Sequence, residues 1–196
     1  MGTRQTTLLK SNAGYMEVST EGKLAEERLL FLEGSIDSAM AMNFAKQVAS
    51  LVKQNLDPIK VCINSEGGEI DAGLLIMDVI SGCPAKVSVY CLEKAYSMAA
   101  VIFISCLNGR YMLPNSRLMI HQPSCERIGG NSSKIKQISD LLLKNKDQLY
   151  EIIASHSLYT KEELEQETFE DKYFTAFSAV EKRLADEIVT FESLIG

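Results

Sequence analysis

Tryptophan is absent from this chain, histidine occurs only twice and proline four times in 196 residues. With so little histidine, and with none of the five cysteines at C-x-x-C spacing, a zinc site has little to be built from. No metal or cofactor is expected. The cysteines (Cys62, Cys83, Cys91, Cys106, Cys125) are odd in number and mostly have apolar neighbours, which fits buried thiols in a reducing compartment better than a disulfide framework. An excess of positive charge is also lacking: 20 basic residues against 26 acidic ones leave a formal charge of -6. That balance excludes the electrostatic footprint of a nucleic-acid or anionic-membrane binder. No apolar run approaches the ~18 residues of a membrane span, and the opening MGTRQTTLLK has no signal-peptide core. A cytoplasmic location is therefore expected.

What remains is the composition of a globular domain, 46% hydrophobic and 23% charged. A chain of this length buries about 70% of its extended surface and needs no covalent staple. Residues 1 to 26 are polar and turn-prone, with SNAG at Ser11 to Gly14, and read as a partly flexible segment. Leu29 to Leu32 then reads as a strand ended by Gly34, and Ala39 to about Gln54 as a surface helix. IKVCI (Ile59 to Ile63) reads as a strand entering a turn at Asn64 to Gly68, DAGLLIMDVIS (Asp71 to Ser81) as a crossover helix, and KVSVYC (Lys86 to Cys91) as a third strand. This repetition predicts an α/β fold with a mostly parallel sheet covered on both faces. Downstream, the spacing predicts a buried helix over Ser97 to Leu107 and two short extended pieces in RYMLP and RLMIHQP. A long helix over Ser132 to Ser155 and a short one over Tyr159 to Glu167 with a Thr160/Glu163 capping box follow. FSAVEKRLADEIV reads as a last helix before an apolar tail strand.

Four features could carry chemistry. The glycine pair in INSEGGEI could present bare backbone N–H groups to an anion, although no phosphate-loop spacing is present. Ser97 opens the uncharged run MAAVIFISC, where a serine serves either as a helix cap or as a nucleophile at a strand-to-helix turn. The G-x-S-x-G elbow is not matched, since Ala95 and Ala99 hold its glycine positions. His121, at the end of an apolar run, is a better general base than His156, which has a simple place at the end of the long helix. Glu167, Glu170 and Asp171 all offer an orienting acid, and composition does not choose among them.

The motifs FLEGSID, INSEGGEIDAGLLIMDVI, KAYSMAA, LPNSRLMIHQP and ETFEDKYFTAFSAVEKRLADEIV, in this order, resemble the proteolytic subunit of the Clp protease (ClpP) from about Leu29 to Val189. The resemblance implies a serine endopeptidase with Ser97 as nucleophile, His121 as base and Asp171 as orienting acid. It places the oxyanion hole at the N–H groups of Gly68 and Met98. It implies a crotonase-like α/β spiral of βαβ units over residues 27 to 196, preceded by an N-terminal segment at 1 to 26 that could form an axial loop. The helix at about 132 to 155 would be a projecting handle joining two heptameric rings into a tetradecameric chamber. ATP-independent peptide-bond hydrolysis would take place inside it, on unfolded polypeptides delivered by an AAA+ Clp ATPase, and a paralogous subunit could share the ring. Backbone near Glu126 to Asn131, including Gly129 and Gly130, would bind substrate by strand addition.

Several positions depart from the family pattern. Glu66 replaces the usual proline before the glycine pair, Glu93 a glycine, Glu170 an arginine used between subunits, and Lys60 and Cys62 the tyrosines of the ATPase-docking pocket. These departures keep open a structural or regulatory subunit of a mixed ring. A crotonase-type acyl-CoA enzyme is a further alternative, although it would not need a serine and histidine pair.

Overall fold

The computed structural model describes residues 6–11, 14–124 and 129–195. The chain enters through an antiparallel hairpin, β1 (Thr6–Ser11) and β2 (Gly14–Ser19), with Ser11 opposite Gly14. Helix α1 (Thr20–Glu26) follows, its first turn closed by Ser19 Oγ, which accepts from the Gly22 N–H at 3.0 Å. Regular structure thus occupies much of the stretch that looks turn-prone in sequence.

Strand β3 (Leu29–Ile36) does not stop at Gly34; that residue, at φ +84°, forms a bulge between Glu33 and Ser35. Helix α2 (Ser38–Gln54) starts at Asp37, whose carboxylate accepts from the Met40 N–H at 2.7 Å. Its last turn is tied down by buried Arg28, whose guanidinium donates to the carbonyls of Leu51 at 3.1 Å and Asp57 at 2.9 Å. These bonds tie the end of α2, where the Leu51 carbonyl also accepts the Asn55 N–H, to the loop that follows it. Strand β4 (Ile59–Gly68) is twice the length that its apolar run indicates. The glycine pair continues the ladder, with Ser35 opposite Gly67 and Ile36 opposite Gly68. After α3 (Ile70–Ser81), strand β5 (Val87–Tyr96) likewise runs past Cys91, and α4 (Met98–Ser105) begins one residue after Ser97.

The remaining elements are β6 (Arg110–Met112), β7 (Arg117–Ile120), the long α5 (Ser132–Ser155), α6 (Lys161–Glu167), β8 (Lys172–Thr175), α7 (Ala176–Glu181), β9 (Glu187–Ile188) and α8 (Phe191–Ile195). The Thr160/Glu163 capping box is formed. The C-terminal helix and tail strand are both present but short: α7 stops at Glu181, where the chain turns through Arg183 at φ +56°, β9 spans only Glu187–Ile188, and the final apolar residues close into α8.

The seven-stranded sheet has the order β3-β4-β5-β6-β9 and is parallel throughout this path; β7 joins it alongside β5 and pairs antiparallel with β8. The result is an α/β fold with a mixed sheet. Side chains alternate between faces, so Val61 and Ile63 enter the main core with α2, α3 and α4, while Cys62 joins Leu29, Tyr90 and Leu194 in a small cluster on the other face. Cover on that second face is consequently partial, with Phe31 36% exposed. Every residue of α4 from Met98 to Ile104 is buried, which explains why its sequence carries no charge.

The C-terminal part is anchored by Arg110. Its guanidinium pairs with Asp186 at 2.5 Å and donates to the carbonyls of Ile104 at 3.1 Å and His156 at 2.7 Å. Partial burial of Asp186 opposes its ionisation, but the hydrogen bonds and charge of Arg110 outweigh this and hold its carboxyl below the ordinary value. His156 itself caps α5, its Nδ1 lying 2.7 Å from the Ile152 carbonyl, as its position in sequence indicates.

Burial pushes the thiols of Cys62 and Cys91 up to about 12, and raises that of Cys106. Only the thiolate alkylates readily, so at about pH 8 iodoacetamide should modify half-buried Cys83 and spare these three in the folded protein. Peptide mapping that found Cys91 modified as fast as Cys83 would contradict this packing.

Candidate active site

Three strand ends converge on one place. Tyr96, the last residue of β5, pairs with Met119 of β7, and the next N–H, that of Ser97, donates to the Met119 carbonyl at 2.8 Å. On its other side β7 runs antiparallel to β8, with Ile120 opposite Lys172. One step beyond that pair, the register sets His121 against Asp171. A serine, a histidine and an aspartate that are far apart in sequence thus become neighbours through strand register alone.

Their distances follow. His121 Nε2 lies 2.7 Å from Ser97 Oγ, and its Nδ1 lies 3.5 Å from Asp171 Oδ1. The first is a formed hydrogen bond; the second is an ion-pair separation, longer than the ~2.7–3.2 Å of a good one. Such contacts commonly tighten only when substrate is bound. Asp171 is half exposed, and Tyr173 Oη approaches its other oxygen at 3.5 Å. Of the three acids weighed in this segment, only Asp171 reaches the imidazole. Glu167 instead receives Tyr159 Oη and Lys172, the latter hydrogen bond being the main reason its carboxyl is lowered. Glu170 is exposed.

The backbone at Ser97 rules out a side-chain cap. Ser97 sits at φ +53°, ψ −123°, and its side chain makes no capping bond to α4. Non-glycine residues held in sparsely populated regions cost about 1–3 kcal/mol and cluster at functional sites. This turn swings Oγ out of the helix and toward His121, while α4 aims its free N–H groups at the same space.

The glycine pair supports the turn from below. A Cβ on Gly67, at φ +95°, would lie 2.6 Å from the Tyr96 carbonyl oxygen, 2.8 Å from Ser97 Cβ and 3.0 Å from Met98 N. Gly68 is pressed equally hard against Ile36, a Cβ there falling 2.1 Å from its carbonyl oxygen. Gly68, Ser97, Met98 and His121 all line one cleft of about 370 Å³. Its opposite wall is apolar, formed by Ile70, Val101, Leu149 and Ile153, with Tyr150 fixed through a 2.5 Å hydrogen bond to Thr168. Gly129 and Gly130 lie outside this lining, before Asn131, which caps α5; Glu126 to Ile128 fall outside the described residues, as does Cys125. No group of three or more His, Cys, Asp or Glu placed to hold a metal ion occurs among the described residues, and no helix there is long and apolar enough to cross a membrane.

A profile of the Clp protease family matches residues 12–192. The ATP-dependent Clp protease proteolytic subunit 2 of Streptomyces coelicolor is 35% identical over 185 residues, covering 92% of this chain and 84% of that protein. The chain belongs to the Clp protease family. It is a serine endopeptidase of the Clp type.

Within that family frame, the departures at Glu66 and Glu93 have a physical account. Glu66 lines the cleft, where an unpaired carboxylate would oppose a developing negative charge. Lys94 pairs with it across β4 and β5 and also approaches Glu93 at 3.9 Å. The Glu66 hydrogen bond is the main cause of the raised Lys94 ammonium pKa. Sequence reasoning missed Lys94 and Tyr173. Their signal was local: both follow the period of two on strands that end at the site.

A Gly67→Ala change should cut peptidase activity by about a hundredfold or more, because it displaces the Ser97 turn by a sizeable fraction of an ångström or beyond. Initial rates beside thermal melts would separate this from unfolding; full activity would show that Gly67 does not support the turn.

Proposed function

We propose that Ser97 attacks the substrate carbonyl, that His121 accepts its proton, and that Asp171 orients the imidazole and stabilises its cationic form. The observation that carries this reading is the 2.7 Å contact of His121 Nε2 with an Oγ that caps nothing. Protonated His121 would then deliver its proton to the leaving amine, and water activated by the same imidazole would release the acyl-enzyme. The N–H groups of Gly68 and Met98 are proposed as the oxyanion hole. In support, both residues border the cleft beside Ser97, and each such donor is worth about 3–4 kcal/mol in the transition state. Backbone at Gly129 and Gly130, both exposed and just beyond Ser124 of the cleft lining, would pair with an extended substrate.

The proposed setting is a closed chamber of two stacked heptameric rings with the family's α/β spiral in each subunit, fed with unfolded polypeptide by an AAA+ ATPase. The N-terminal segment of residues 1–26, which includes β1, β2 and α1, would lie at the axial entrance. Helix α5 supports the assembly: its buried residues are Leu149, Tyr150 and Ile153, all near its C-terminal end, whereas Ile135, Leu141 and Leu143 are 43%, 56% and 57% exposed. A helix that leaves large apolar residues unburied gains by packing them against another copy. The departures at Lys60 and Cys62 bear on the ATPase: Lys60 Nζ donates to the Leu194 carbonyl at 2.6 Å, so α8 closes over that part of the sheet.

A fluorophosphonate probe should label the assembled protein at Ser97. Labelling should vanish in Ser97→Ala, and turnover should fall by roughly 10³- to 10⁴-fold in Asp171→Asn. An assembled wild-type ring that takes no label would instead indicate a structural subunit.

Leu141→Asp with Leu143→Asp should shift native mass from two rings to one or to smaller species, with the secondary structure retained. An unchanged mass would sink the proposed role of α5.

A further inference from the structure

The apolar wall of the cleft explains how a substrate side chain is accommodated on one side of Ser97, but the other side is built from charge. Glu66 projects at the cleft with its side chain 64% exposed, and Glu93 beside it is 68% exposed. Lys94 is the cation between them, half-buried, with Nζ 6.0 Å from the centre of the Tyr96 ring. Tyr96 meets Tyr173 edge-on at 5.6 Å, and Tyr173 reaches Asp171. Glu66 is near enough to this group to contribute to the raised Tyr173 pKa, after desolvation, Asp171 and Tyr96. The wall running Glu66–Lys94–Tyr96–Tyr173–Asp171 carries three carboxylates with Glu93, against Lys94 and the Arg117 set opposite it on β7; only Lys94 pairs with Glu66 and Glu93, and the rim stays net negative by one charge.

We propose that Glu66 is a specificity-determining residue: its carboxylate, held at the cleft by Lys94, favours peptides with a lysine or arginine side chain beside the scissile bond, at the end flanked by Tyr96 and Tyr173. A guanidinium or ammonium placed there gains a second cation for a site where two carboxylates share one. Lys94 sets the strength of the preference, since it neutralises part of the rim and competes with the substrate cation for Glu66. An arginine has the further option of stacking on the exposed tyrosine. The pair is exposed to solvent, so the selection is modest and falls with salt.

This inference rests on the catalytic reading of Ser97 for the position of the scissile bond. The test uses the full-length assembled protein and a set of otherwise identical internally quenched peptides with Lys, Arg, Gln or Glu at each position flanking the cleaved bond. Glu66→Gln should lower the ratio of kcat/KM for cationic over neutral peptides by about two- to fivefold, and Lys94→Met should raise it by a similar factor. Raising the salt to about 0.5 M should shrink both differences. Anisotropy titration of the same peptides on the Ser97→Ala background reads the ratio without turnover. If wild-type cleavage is absent but the binding ratio moves as described, the catalytic reading falls and the role of Glu66 stands. If the ratio is unmoved in both variants, by turnover and by binding, the proposal is overturned.

Discussion

The site depends on one strained turn. Ser97 occupies a left-handed conformation between the end of β5 and the start of α4, and it can do so only because nothing stands beneath it but the backbone of Gly67. Three further contacts hold it there: its own N–H on Met119, its carbonyl accepting from Ala100, and the uncharged α4 sunk into the core. A turn costing about 1–3 kcal/mol persists only when its surroundings over-determine it. Here they do, because each neighbour belongs to a strand or helix already fixed by burial.

The division of β5 is what makes that convergence possible. Its first half pairs with β6 and its second half with β7, so the sheet opens at the point where β5 leaves the core. β7 then brings His121 to the serine on one side and, through its antiparallel partner β8, Asp171 on the other. Arg110 stabilises the same region from a distance, since β6, the ends of α4 and α5, and the C-terminal segment all meet at its guanidinium. Crevices at the carboxyl ends of parallel strands are the usual ligand sites of such sheets, and the cleft lies there.

Charge around the cleft is managed in pairs. Glu66 lines the cleft, and the adjacent Lys94 pairs with its carboxylate. The divergence at Glu66 and Glu93 is therefore coupled through one lysine, and the two carboxylates are best regarded as a single feature of the rim. On the outer surface the balance is different: α5 leaves apolar residues in water, and α8 folds over a cluster that includes Cys62 and Tyr90.

Much of this was legible in the chain. Short apolar runs bounded by turn residues located the first parts of β3 to β5, helical spacing located α2, α3 and the full span of α5, and the Thr160/Glu163 box appears as read. Strand ends were not legible, because Asn64 to Gly68 and Leu92 to Tyr96 have turn-like or polar composition and become strand only by pairing with neighbours distant in sequence. The short β8 and the closure of α8 were hidden for the same reason. By itself the sequence determined the residue types available for chemistry: one serine before an uncharged helix, one histidine free of a helix end, a glycine pair and a choice of acids. Composition left the cap and three acids open and the family motifs pointed to Ser97 and Asp171; the tertiary structure supplies the geometry, with no capping bond from Ser97 and Asp171, not Glu167 or Glu170, facing His121. A side chain's partner is set by strand register and by a backbone dihedral, and both are fixed by long-range pairing that local composition does not encode.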